Sequence, residues 1–315
     1  MATNSLGLAR TIPESIKREV RQRSKFGCVR CRCGIYHYHH LDEGYVNTDT
    51  HSADDICLLC GSCHQAVHGG SLSNETVRQL YKRVENDPAA KRPFEQFDLS
   101  TRPIAVCLGS SRFESPQTLI RVGGRDVLTI NTDDEDYGGI SLSGVFCDNT
   151  GKELLRVSHN EWEASTHSWD VETKGRLITV RRGPKQVALR IRAVPPSEIA
   201  IEYLDMFFMG AHIMCDPENL LIGRNSYSTD AYLGIGKIDC SGASIAVDIA
   251  DLHGVRPRFF ALNVIGGQGI ELVGAGLRIA VGASAMTSRD LRVVMPPEPT
   301  YRLSANLMKV LPRSA

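Results

Sequence analysis

Cys28-Val-Arg-Cys31 and Cys60-Gly-Ser-Cys63 are two Cys-x2-Cys pairs with 28 residues between them, and His64 and His68 follow the second pair directly. A Cys-x2-Cys turn brings two thiolates to one tetrahedral ion, so two such turns can complete a four-cysteine zinc site. The expected ligands are Cys28, Cys31, Cys60 and Cys63. Two other registers compete, Cys31-Arg-Cys33 for the first pair and Cys57-Leu-Leu-Cys60 for the second. Leu-Leu suits a strand whereas Gly61-Ser62 suits a turn, which favours the Cys60 and Cys63 register.

The histidines point to different chemistry. His64 and His68 stand at i, i+4, so on a helix both rings share one face, as two ligands to one ion require. Ile35-Tyr-His-Tyr-His-His reads as a strand. His37 and His39 then lie on one face of it and His40 on the other. His39 could supply a third ligand. Three protein ligands leave positions open for water and substrate, the mark of a catalytic site. His40 would stay off the ion and act as general base.

Several elements must position these groups. Thr11-Ile-Pro13-Glu14 supplies a capping hydroxyl, a proline and a first-turn acid, predicting a helix to about Ser24 with Ile12, Ile16 and Val20 on one side. A zinc knuckle and β-hairpin follow from Cys28, with a short strand at Asp55-Ile-Cys-Leu-Leu. Ser62 to His68 is predicted as a helix ended by Gly69-Gly70. A further helix over about 74–85 carries Val77, Leu80, Tyr81 and Val84 on one stripe.

The predicted organisation is an α+β chain. Residues 1–90 form a small zinc module with flanking helices, 91–103 a linker mixing Pro, Lys, Arg and Asp, and 104–315 a larger all-β domain. Short strands near Val127, Gly139, Leu177, Val187 and Ile199, divided by Gly, Pro, Asn and Asp, suggest a sandwich, with a β-solenoid as the alternative. Glycine-rich stretches continue at Tyr232-Leu-Gly-Ile-Gly, Val264-Ile-Gly-Gly and Leu272-Val-Gly-Ala-Gly. The patches at His159 to Trp162 and His167 to Asp170 read as turn and core packing. Arg181-Arg182-Gly-Pro-Lys185 is a basic turn and weak evidence for phosphate contact.

At 315 residues with 36 Lys plus Arg against 36 Asp plus Glu, the chain as a whole is neutral and gives no global sign of nucleic acid or membrane. Residues 1–36 nevertheless carry a net +6, a patch that could hold a polyanion. Lys17, Arg21, Lys25, Arg30 and Arg32 are its candidate phosphate contacts. The first residues lack an apolar signal region, and the most apolar later window, Ile199 to Cys215, is broken by Glu202 and Asp205. The expectation is a cytoplasmic protein with no membrane partner. There, ten cysteines favour metal over disulfides, with Cys107, Cys147, Cys215 and Cys240 as core residues.

The stretch 26–70 resembles the HNH nuclease family, on His39-His40, on Asp55, and on Cys60-x2-Cys63-His64-x3-His68. The resemblance implies a ββα-metal fold around one divalent ion, with His39 as ligand and His40 as general base. Asp55 falls where the family usually has asparagine, which shapes the loop holding the base; aspartate is a departure. It further implies structural zinc, a catalytic Mg, Mn, Ni or Zn held by His39, His64 and His68, and one-metal hydrolysis of DNA phosphodiester bonds. Restriction or anti-phage defence would fit a nuclease joined to a targeting domain. Two alternatives stand beside it. One is a non-catalytic zinc module that binds nucleic acid. The other is a nuclease effector switched by ligand binding or by homo-oligomerisation of the β-rich domain.

Overall fold

Ile56-Cys-Leu-Leu59 is apolar at every position because it is covered on both faces. In the computed structural model, which describes residues 3–41, 49–131, 140–224, 232–241, 245–251, 262–265, 270–274 and 277–283, these residues form β2 (Ile56–Leu59), antiparallel to β1 (His37–His40). Cross-strand partners share a face. His37 with Leu59 and His39 with Cys57 point one way; Tyr38 with Leu58 and His40 with Ile56 point the other.

Each face has its own core. Cys57 and Leu59 pack with Val29, Leu41, Leu72, Val77, Tyr81 and Val84. Ile56 and Leu58 pack with Ile12, Val20 and Ala53, with Ile16, Tyr36 and Tyr38 at the margin. The first core is roofed by α2 (Gly61–His68) and α3 (Asn74–Asn86), the second by α1 (Glu14–Arg23). The predicted stripe on α3 is observed, with Val77, Tyr81 and Val84 buried. The start of α1 differs from expectation. Pro13 itself is the N-cap and no side chain caps it, so Thr11 does not play that part.

The chain divides into two compact units, residues 1–96 with 162–186, and 97–161 with 187–315. This alters the expected single run of 104–315, because 162–186 belongs with the N-terminal residues. That return segment brings β10 (Glu161–Ala164), β11 (Asp170–Lys174) and β12 (Leu177–Gly183). The expected linker is not a free tether either. It contains β3 (Phe94–Gln96), and Phe94 exchanges backbone hydrogen bonds with Arg32 and Gly34 at 3.1 and 2.7 Å. Gly34 is required here: a Cβ would run into the Trp162 indole.

Strands dominate the second unit. They are β4 (Ala105–Leu108), β5 (Ser111–Glu114), β6 (Thr118–Val122), β7 (Arg125–Asn131), β8 (Ser141–Cys147), β9 (Glu153–Ser158), β13 (Gln186–Val194), β14 (Glu198–Phe208) and β15 (Ala211–Asp216). They continue through β16 (Asn219–Arg224), β17 (Tyr232–Ser241), β18 (Ile245–Asp251), β19 (Leu262–Ile265), β20 (Ile270–Gly274) and β21 (Leu277–Ala283). One run of neighbours is β20-β21-β18-β6-β7-β8-β9 and another is β13-β14-β15-β16-β17-β5-β4, with β14 also paired to β4. The apolar window at Ile199 to Cys215 is thus β14 and β15, and among the described residues no helix is long and apolar enough to cross a membrane. Asn160 turns the chain at φ +67° while its buried amide bridges Leu142 N–H and Ile140 C=O, both at 2.7 Å, as expected of turn packing. Gly139, Gly266-Gly267, Ala275-Gly276, the Cys240 side chain and residues 284–315 lie outside what is described.

Candidate metal centre

The knuckle is built by backbone first. Cys28 N–H donates to Cys33 C=O and Arg32 N–H to Cys28 C=O, each at 2.9 Å, closing the turn that carries Cys28 and Cys31. Cys60 is the N-cap of α2, so Cys63 lies one turn into the helix with its N–H 3.5 Å from Cys60 Sγ. The sulfurs of Cys28, Cys31, Cys60 and Cys63 all lie within 4.8 Å of one another. Cys31 Sγ is 3.5 Å from Cys60 Sγ and 3.9 Å from Cys63 Sγ. A tetrahedral zinc with bonds of ~2.3 Å sets its sulfurs ~3.8 Å apart, so this cage fits zinc. The competing thiols are occupied elsewhere: Cys33 donates to Ile35 C=O and Glu95, and Cys57 is a core residue.

Electrostatics in the cage favours one thiolate. Burial raises Cys60, but hydrogen bonds from Cys63 N–H and from the thiols of Cys31, Cys63 and Cys28 outweigh it and bring the group below its ordinary value. Burial pushes Cys31 up to about 11 and Cys63 higher still. A helix N-terminus is one of the settings that favour the thiolate, the form of cysteine that binds metal.

The imidazoles form a second group. Donor nitrogens of His39, His64 and His68 lie within 4.8 Å of one another. Ring centroids are 4.5 Å apart for His64 and His68, 5.2 Å for His39 and His64, and 6.2 Å for His39 and His68. Burial holds His39 below an ordinary imidazole, reinforced by His68 and opposed by a hydrogen bond to Asn74. Burial and the charges of His39, His68 and His37 do the same to His64. Neutral rings present lone pairs, which is what a cation needs. Three nitrogen donors suit a divalent transition ion.

Comparisons with protein-family models, with curated proteins and with solved structures gave no match.

His40 faces away from this group, beside His51, with ring centroids 5.7 Å apart. Its Nε2 is buried, and burial together with His51 and His39 lowers its basicity. His51 in turn donates from Nε2 to Ala9 C=O at 2.9 Å. Asp55 C=O accepts from Leu41 N–H at 2.7 Å, directly after His40. Its carboxylate lies 3.8 Å from Arg78.

The candidate phosphate contacts separate sharply. Arg21 is buried against Asp170 and Arg32 is buried in a ring of carbonyls, donating to Ser24, Gly27, Cys28, Lys25 and Lys91. Both are corrected from surface cations to structural ones, since a guanidinium spent on internal acceptors is not offered to a phosphate. Lys17 pairs with Glu14 at 2.7 Å, Lys25 is half-buried, and Arg30 is exposed. In the basic turn of the first unit, Arg181 is likewise held by Asp170 and Glu172. Sequence reasoning missed Asn74 and His51, and it gave no role to His37, whose exposed ring lies 5.7 Å from His64 on the face already expected for it.

Proposed function

We propose that the segment from Cys28 to His68 is the catalytic centre of a metal-dependent endonuclease that hydrolyses phosphodiester bonds in DNA. The observation that carries this reading is the convergence of His39, His64 and His68 on one point, next to a separate four-sulfur cage. A purely structural zinc module needs only the sulfurs. Three imidazoles gathered on one side of a strand, with a fourth histidine following on the strand's other face, are the parts of a hydrolytic site.

Zinc at the sulfurs would pin the β1–β2 pair against α2 and so fix the imidazoles. His39, His64 and His68 would hold one Mg, Mn, Ni or Zn ion, which supplies Lewis acidity to a phosphate oxygen and to the departing 3′-oxygen. His40 takes the proton of the attacking water. With Nε2 buried, Nδ1 is the nitrogen that receives it, and its lowered basicity keeps it unprotonated at neutral pH. Asp55 keeps the strand end beside His40 in place through its bond to Leu41. Products would carry 5′-phosphate and 3′-hydroxyl ends. Of the five candidate phosphate contacts, Arg30 and Lys25 are those left for backbone contact. The β-rich unit would select the target, and defence against foreign DNA is a role such a pairing serves.

The test is plasmid nicking by the full chain with added Mg, Mn, Ni or Zn. Ion-dependent nicking that His68→Ala removes, at unchanged zinc content, is expected. Equal nicking by His68→Ala, or none by the wild type with any ion, would reject the proposal.

A further inference from the structure

His39 and Asn74 meet through one hydrogen bond, Nε2 to Oδ1 at 3.0 Å. An amide oxygen has lone pairs and no proton, so Nε2 must be the donor in this contact. A nitrogen that carries a proton has no lone pair for an ion. We infer that Asn74 is a positioning residue that locks His39 in its Nε2–H tautomer, so that Nδ1 is the nitrogen His39 turns to the ion.

Both ends of the bond are held in place. His39 is only 6 % exposed and sits in register opposite Cys57 on the inner face of the strand pair. Asn74 is the first residue of α3, whose start is fixed by Ser73: its hydroxyl accepts from Thr76 N–H at 3.1 Å. The carbonyl partner also raises the basicity of the ring, against the burial that lowers it. Such partners of ligating histidines fix ring orientation, and their loss typically weakens metal affinity about 10- to 100-fold. The inference rests on reading the three histidines as a metal site and does not depend on the reaction assigned to it.

The test uses the full chain with one zinc equivalent. Long-range proton–nitrogen correlation spectra read the tautomer of His39, and cobalt titration then reads affinity and ligand set at the histidines. Expected are an Nε2–H His39 in the wild type and about 10- to 100-fold weaker cobalt binding by Asn74→Ala, with the visible bands at saturation unchanged. Asn74→Asp, whose carboxylate accepts the same proton, should restore affinity. An Nδ1–H His39 in the wild type overturns the inference, as does unaltered affinity in Asn74→Ala. A changed band pattern at saturation overturns it too, since Asn74 would then be a ligand itself. A wild type that binds cobalt as described yet cuts no DNA would remove the nuclease proposal and leave this one standing.

Discussion

The Arg21 guanidinium grips the Asp170 carboxylate with two parallel bonds, Nε to Oδ1 at 2.8 Å and Nη2 to Oδ2 at 2.9 Å, across 149 residues of chain. Both side chains are almost fully buried. Tyr38 accepts from Nη1 at 2.7 Å, and Arg181 reaches Asp170 Oδ2 at 2.9 Å, so the charges lie within a wider network.

Breaking that pair should destabilise the first unit. Burial works against the Arg21 charge, but Asp170, through its hydrogen bonds and charge, together with Tyr38 and Tyr36 outweighs it and holds the group well above its ordinary value. Arg21→Ala leaves a buried carboxylate with Arg181 as its remaining cation, and is expected to cost about 3 kcal/mol in urea unfolding. Arg21→Met with Asp170→Leu should cost less than either single change. An Arg21 variant as stable as wild type, with weakened DNA binding instead, would return Arg21 to the surface patch.

The cage assignment predicts which cysteines matter for zinc. Cys28→Ser, Cys31→Ser, Cys60→Ser and Cys63→Ser should each lose the metal, and with it the core that Cys28, Cys60 and Cys63 share with Leu59 and Val77. Cys33→Ser and Cys57→Ala should keep it. Zinc content measured on purified variants checks this, and zinc loss in either of the last two would shift the register.

Acid should weaken the histidine site in a defined direction. His39 and His64 lie below ordinary imidazole basicity when folded. In the unfolded chain they would take protons near pH 6.5. The unfolded state therefore binds more protons in that window, and stability full above about pH 6.5 is lost as pH falls through the lower folded values. Urea midpoints at falling pH, without added ion, should drop, and His64→Asn should flatten the curve. A wild-type midpoint that rises on acidification would contradict lowered basicity at His39 and His64.

The base is tested by two neighbouring histidines on opposite faces. His40→Ala is expected to lower kcat about 100- to 10,000-fold with metal affinity retained. His37→Ala, at the exposed mouth beside His64, should have a far smaller effect. The reverse order would make His37 the proton acceptor.

The four-cysteine and three-histidine groups were legible because i, i+4 on a helix and two-residue turns are local geometry, although spacing alone left other cysteine registers open. The roles of the cations were not. Arg21 is withdrawn from solvent by Asp170, 149 residues away, and Arg32 by main-chain carbonyls of Ser24, Lys25, Gly27, Cys28 and Lys91. The folded backbone rather than a residue pattern sets which way these side chains turn. Asn74 was hidden for a similar reason. It reads as an ordinary helix start, and only tertiary folding sets it against His39. The 162–186 segment looks like any other stretch of β-sequence until Trp162 meets Gly34 and Asp170 meets Arg21.

That returning segment decides how the molecule can be dissected. A fragment cut after residue 96 would keep every proposed metal ligand yet forfeit the indole over Gly34 and the anion beneath Arg21. A minimal version must therefore splice 162–186 back on through a bridging peptide; simple truncation would yield the right donors on a scaffold unable to hold them still.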